Sequence, residues 1–271
     1  MPRTERIRIG NQTSFSALSV TDPFEYAVVS GFDAFEWFPD RNGSTGWNIG
    51  FIDDLGRKSI KDTATEKGII LSVHAPELAN PMRTEAREML INHFLFARDI
   101  GATLLNIHLF SEEGIEPYVR ALIPFIKYSA EVSINLSVEN TPLTGPEDFN
   151  EMFAFLSHLK DIDIKHVGMC LDIGHANLTD STRNDYLKFV DRLNPAIPII
   201  HIHLHENYGD RDSHLTIFTG PSGEDDTGIL ELMMRLKRRN FSGSIILEQW
   251  PEPHTLLNQA RDRLCEIIRR E

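Results

Sequence analysis

Ile199-Ile200-His201-Ile202-His203-Leu204-His205 runs into Glu206-Asn207-Tyr208-Gly209-Asp210-Arg211-Asp212-Ser213-His214. Ile200, Ile202 and Leu204 alternate with His201, His203 and His205. As a strand, this segment puts aliphatics on one face and imidazoles on the other. A polar loop with an Asp-x-His step, Asp212 to His214, follows. A lone histidine on such a face is commonly a hydrogen-bonded core residue. Three of them beside an Asp-x-His step make a metal site an equal alternative.

Working outward, the same kind of unit repeats. Apolar, β-branched-rich runs predict strands at Ile7–Gly10, Phe32–Phe38, Ile69–Pro76, Thr103–Leu109, Ile134–Glu139, Val167–Asp172, Ile199–His205 and Ser244–Glu248. A helical pattern follows each. Asp22 as N-cap and Pro23 at N1 open the first helix, which stops at Gly31. The others are expected near Phe51–Lys67, Pro81–Ile100, Ile115–Val132 (with Pro124 a candidate kink), Pro146–Leu159, Asp180–Leu193, Thr227–Asn240 and Thr255–Arg270. Eight strand-helix units in 271 residues fit a single (β/α)8 TIM barrel over residues 1–271. An open doubly wound sheet is the alternative, weakened because no strand leads into a Gly-x-Gly-x-x-Gly turn.

Composition sets the class. Hydrophobic residues make up 41% and charged ones 25%, ordinary for a globular chain with a large core. Lys+Arg is 27 and Asp+Glu is 40, a net charge of −13. That argues against a broad nucleic-acid footprint. Cys170 and Cys265 read as buried reduced thiols, with neither placed to help hold a metal. No apolar h-region follows Met1 to Arg6, and no run of about 18 apolar residues occurs. A cytoplasmic protein without membrane contact is expected; homo-oligomerisation is left open.

The last positions of the strands carry the chemistry. Strand 2 ends in Glu36, strand 3 in His74, strand 4 in His108 and strand 5 in Glu139. Strand 6 ends in Asp172, strand 7 in His203 or His205, and strand 8 in Glu248. In a barrel these C-terminal ends share one rim, where active sites are built. Taken singly, each is as readily a solvated rim group or a helix cap. Together, carboxylates and imidazoles crowded into one mouth are hard to explain without cations, since uncompensated carboxylates repel one another. The mixed nitrogen and oxygen donors suit Zn²⁺, Mn²⁺, Fe²⁺ or Co²⁺ better than Mg²⁺ or Ca²⁺. His93, His158, His166 and His254 fall outside the rim and read as surface residues. Trp37 and Tyr208 are either mouth-shaping or ordinary packing.

An ordered series of short pieces carries a resemblance. These are Val73-His74-Ala75-Pro76, Asn106-Ile107-His108, Val138-Glu139-Asn140, Leu171-Asp172-Ile173-Gly174-His175, His203-Leu204-His205-Glu206-Asn207, Asp212-Ser213-His214 and Leu247-Glu248. In that order and spacing, the chain resembles the xylose-isomerase-like TIM-barrel superfamily, with its sugar phosphate isomerase/epimerase-like proteins and endonuclease IV. The epimerase-like branch implies one Mn²⁺-type ion held by Glu139, Asp172, His203 and Glu248. In that branch Glu139 and Glu248 double as acid and base across a bound sugar. The endonuclease IV branch implies three zinc ions, adding His74 and His108 beside Glu139, and His175 with Asp212 and His214. One to three divalent ions per chain, zinc or manganese, are thus expected.

Two departures bear on the choice. The rim loops offer Arg41 and Trp47 but no repeated Arg/Lys clusters, which disfavours DNA repair. The lysine that xylose isomerases carry on strand 5 is absent from Ser137-Val138-Glu139, which disfavours a metal-assisted hydride shift. The expectation is therefore a metal-dependent isomerase or epimerase of a small sugar, sugar phosphate or polyol. Glu36, His175, His205 and Arg211 are its candidate substrate contacts. The alternatives are a polynuclear phosphoester hydrolase, or a barrel whose metal is structural. The substrate loops are expected at Arg41 to Gly50 and Asn207 to Gly223.

Overall fold

The computed structural model describes residues 6–14, 16–42 and 45–270. The segment Met1 to Glu5, read above for a leader, lies outside them, and so does the side chain of Arg41.

Eight parallel strands close into a barrel: β1 Arg8–Gln12, β2 Ala34–Trp37, β3 Ile70–His74, β4 Leu104–His108, β5 Asn135–Glu139, β6 Val167–Asp172, β7 Ile199–Leu204 and β8 Ser244–Leu247. Each strand pairs with its sequence neighbours, and β1 closes on β8 through Ile9 opposite Ile245. The main helices are α1 Asp22–Ser30, α2 Asp54–Lys67, α3 Thr84–Ile100, α4 Ile115–Val132, α5 Pro146–Ser157, α7 Tyr186–Arg192, α9 Thr227–Arg238 and α10 Thr255–Arg270. Two short ones, α6 Ile173–Leu178 and α8 Pro221–Glu224, sit on the rim loops. No helix among the described residues is long and apolar enough to cross a membrane.

Period-2 alternation sorts the strand residues onto two faces. Val73, Leu105, Val138, Leu171, Ile202, Leu204, Ile245 and Leu247 point outward under the helices and are fully buried. The continuous apolar core therefore lies between sheet and helices. The inward set is polar: Ser72, His74, Asn106, Ser137, Glu139, Asp172, His201 and His203, all buried. Such groups are costly in an interior unless they satisfy one another, so the barrel's inside is a polar network.

Local signals set most ends. Helices α1, α2 and α3 stop at Gly31, Gly68 and Gly101, each in the left-handed conformation. Asp53 caps α2 by accepting from Gly56 N–H at 2.8 Å. Helix α4 runs unbroken through Pro124.

Four local readings need correction. Thr21, not Asp22, is the N-cap of α1; Asp22 instead accepts from Ser19 N–H at 2.9 Å. The helix expected over Asp180–Leu193 is broken: a 3-10 turn spans Asp180–Thr182, Asn184 turns left-handed at φ 59°, and Asp185 then caps α7. The loop Arg41 to Gly50 contains a small antiparallel hairpin, Arg41–Asn42 with Thr45–Gly46. His93 is buried, its Nδ1 bonded to Met89 O at 2.7 Å.

Candidate metal centre

The C-terminal ends of β2 to β8 deliver their polar side chains to one region. Its floor is Glu36, which has no accessible surface. Glu36 Oε2 lies 2.8 Å from His201 Nε2 and accepts from Ser72 Oγ at 2.8 Å; Oε1 lies 2.8 Å from His203 Nε2. Burial alone would raise this carboxyl, but His203 and His201 hold it well below the usual range. Glu36 was expected to touch substrate hydroxyls. In the structure both oxygens face protein groups, His201 and Ser72 on one side and His203 on the other.

Above the floor is His203, fully buried. Its Nδ1 lies 3.1 Å from Glu139 Oε1, 3.2 Å from Glu248 Oε1 and 3.8 Å from Asp172 Oδ2. Neither Nδ1 nor Nε2 of this ring has a partner in hydrogen-bond geometry. Three carboxylates thus converge on one orphaned ring nitrogen. Strand pairing explains part of this, since Asp172 lies directly opposite His203 in the ladder.

On one flank, His74 Nδ1 donates to Ala75 O and Nε2 lies 3.0 Å from Glu139 Oε2. His108 Nε2 lies 3.7 Å from the same oxygen. On the other flank, His175 Nδ1 donates to Asn140 O at 2.8 Å and presents Nε2 to Asp212 Oδ2 at 3.3 Å. His214 repeats the arrangement: Nδ1 bonds Glu248 O at 3.1 Å and Nε2 faces Asp212 Oδ2 at 3.1 Å. In His74, His175 and His214 a backbone carbonyl holds Nδ1–H, so Nε2 is the nitrogen that would face a metal. Second-partner bonds of this kind orient metal-binding histidines. His205, 1% exposed, stacks on His214 at 3.9 Å between ring centroids and points Nε2 at Asp172, 3.2 Å away.

Ligand-capable atoms therefore fall into overlapping groups within 4.8 Å: His74, His108 and Glu139; Asp172, His175 and His205; His205, Asp212 and His214; Glu36, His203 and Glu248. The mixed imidazole and carboxylate donors fit a divalent ion of the zinc or manganese kind. Cys170 also lies within reach of His201 and His203, although neither cysteine is expected to help hold a metal. Burial pushes its thiol well up, so it stays protonated.

The charges divide unevenly. Burial would raise Glu139, but His203, His108 and His74 hold it well below the usual range. Against burial, His175 and His205 bring Asp172 down to about 2. Glu248 is raised: burial, helped by Asp172 and Glu139, outweighs the lowering by His203 and His214. Despite burial, His203 is raised well above normal by Cys170 and then by Glu139, Glu248 and Glu36, and His175 by Asp172, Asp212 and Glu139. His108 is pushed down to about 4, chiefly by burial.

The remaining expected site residues lie further out. Arg211 is exposed, and its guanidinium makes no ion pair among the described residues. Tyr208 is 63% exposed on the loop after β7. It edges a cavity of about 330 Å³ that includes Asn177, Tyr186, Glu206 and Asn207. Trp37 belongs to the core, packed on Phe24, Phe35 and Trp47. Supporting residues carried weaker sequence signals. Asn106 donates to Glu139 and accepts from Ser137 Oγ at 2.7 Å. Asn140 exchanges two 2.8 Å bonds with the Asp172 backbone. Alternation puts Asn106 two residues before His108 on the inward face, but Asn140 follows its strand and carried no comparable cue.

Comparison with known proteins agrees with this architecture. The family described as xylose isomerase-like TIM barrel matches residues 24–267. An uncharacterised protein of Methanocaldococcus jannaschii, MJ1311, is 34% identical over 134 residues, covering 47% of this chain and 41% of that one. The chain thus spans less than half the length of that curated relative. A solved D-tagatose 3-epimerase-like protein superposes with a TM-score of 0.72 at 23% identity, covering 97% of this chain and 98% of its own. A D-psicose 3-epimerase crystallised with D-fructose gives 0.71 at 15% identity, over 96% and 99% of the two chains. At such identities the likeness is one of fold.

Proposed function

This chain belongs to the xylose isomerase-like TIM barrel family, and we propose that it is a metal-dependent isomerase or epimerase of a small carbohydrate. The observation that carries the reading is the orphaned His203 Nδ1, closed in by Glu139, Glu248 and Asp172. Without a cation these groups form a crowded, half-protonated knot; a divalent ion gives all four a common partner. Glu139, Asp172, His203 and Glu248 are the proposed ligands. When bound, the ion supplies Lewis acidity toward a keto oxygen and neighbouring hydroxyl, acidifying the adjacent C–H.

The chain's own residues do the proton work. Glu139, held ionised by His74, His108 and His203, is suited to take a proton. Glu248, with raised proton affinity, is suited to give one. Groups whose surroundings push their pKa values apart form a natural base and acid pair. Asn106 and Asn140 hold Glu139 and Asp172 in place. His205 and Arg211 are proposed to meet substrate hydroxyls. The 3-epimerases among the structural neighbours support an unactivated sugar as the substrate class, and the net charge of −13 supports a small molecule over nucleic acid.

A second reading has its own support. The Nε2 atoms of His74, His175 and His214 are aimed at carboxylates on both flanks. Filled flanking sites would suit a polynuclear phosphoester hydrolase, with adjacent ions generating hydroxide. Metal content of protein purified without added metal separates the readings. One ion per chain agrees with the isomerase, while two or three ions together with phosphodiester cleavage would overturn it.

A further inference from the structure

The carboxylate that the mouth hides from substrate has another use. Glu36 comes from β2, across the barrel from β7, and reaches both His201 and His203. One oxygen is taken by His201 Nε2 and Ser72 Oγ, each at 2.8 Å. The other lies 2.8 Å from His203 Nε2, an ion-pair contact outside hydrogen-bond geometry. Glu36 and His203 are fully buried, and His201 is 1% exposed, so no water competes for these contacts.

Resting on the metal-centre reading above, we propose that Glu36 is a positioning residue for that centre. Clamped from below by His201 and Ser72, it holds the Nε2 edge of His203 so that Nδ1 faces Glu139, Asp172 and Glu248. An imidazole ring has two nitrogens, and a carboxylate on one makes the other the lone-pair donor. The 5.2 Å spacing of the His201 and His203 rings, tilted by 78°, lets one carboxylate serve both. A purely structural ion knot is the competing account, and the two differ in what they predict for metal.

The test is Mn²⁺ and Co²⁺ binding by calorimetry to wild type, Glu36→Gln and Ser72→Ala, with the visible spectrum of bound Co²⁺ reporting ligand geometry. Loss of an outer partner of a ligating histidine weakens affinity about 10- to 100-fold. Glu36→Gln is expected to fall in that range with an altered Co²⁺ spectrum, and Ser72→Ala to fall less, in the same direction. A folded Glu36→Gln protein with wild-type affinity and spectrum overturns the proposal, even if it melts at lower temperature. Should Glu36→Gln not fold, unchanged affinity and spectrum in Ser72→Ala overturn it instead. Wild type that binds neither ion would fail the metal-centre reading itself, a result distinct from either.

Discussion

Gly174 lies against the ring of His205, so closely that a Cβ at residue 174 would fall 1.9 Å from Cε1 of the imidazole. The rim turn after β6 and the last residue of the histidine run are thus interlocked. Replacing Gly174 with Ala must displace either the ring or the turn that carries Asp172 and His175. Overpacking of this kind costs about 1–3 kcal/mol. Gly174→Ala is expected to lower the denaturation midpoint accordingly and weaken metal binding. Chemical denaturation and metal titration of the same sample check both.

Glu139 lies within 3.7 Å of His74, His108, His175 and His203. Glu139→Gln keeps its shape but removes the proposed base, so turnover is expected to fall roughly 10²- to 10⁴-fold. Because the same oxygen faces His203 Nδ1 at 3.1 Å, metal affinity should fall too. Rates measured at saturating Mn²⁺ separate the two effects.

Asp212 bridges His175 and His214 but does not touch His203. Asp212→Asn is expected to leave one tightly bound ion per chain and to abolish binding of any further ion. Elemental analysis of the two proteins decides this. An equal loss of all metal would show that the outer arm and the centre are one site.

Acidity should act through the same groups. Burial lowers His214, but its bond to Asp212 and the charges of Glu248, Asp212 and Asp172 together raise it to about 9. A raised imidazole stabilises the metal-free fold below its unfolded value, near about 6.5. That contribution is lost as pH climbs through about 9. His203 and His175 are raised in the same sense. The metal-free protein should therefore weaken as pH rises through this window. Metal uptake should expel protons and become tighter over the same range. Melting curves against pH, with and without Mn²⁺, read both effects.

Much of this was legible in the chain. Eight apolar, β-branched-rich runs, each followed by a helical pattern, give eight βα units and a common rim. Their physical basis is local: side-chain period and backbone handedness. What was not legible depends on depth and on long-range partners. Period 2 says that Glu36 points inward, but not that it lies beneath His203. Nor does it say that Cys170 comes within reach of the same imidazoles. The broken helix between Asp180 and Arg192 turns on Asn184 in the left-handed region, a competition that apolar spacing does not register. His93 looked like a surface residue because helix periodicity does not reveal which neighbouring loop covers it.

Solvent exchange tests the central claim most directly. Wild-type protein loaded with Mn²⁺ and incubated in D₂O with a panel of ketoses should place deuterium on the carbon next to the carbonyl. Metal-stripped protein and Glu139→Gln should not. No label in any ketose from fully loaded wild type, together with cleavage of a phosphodiester, would contradict the account.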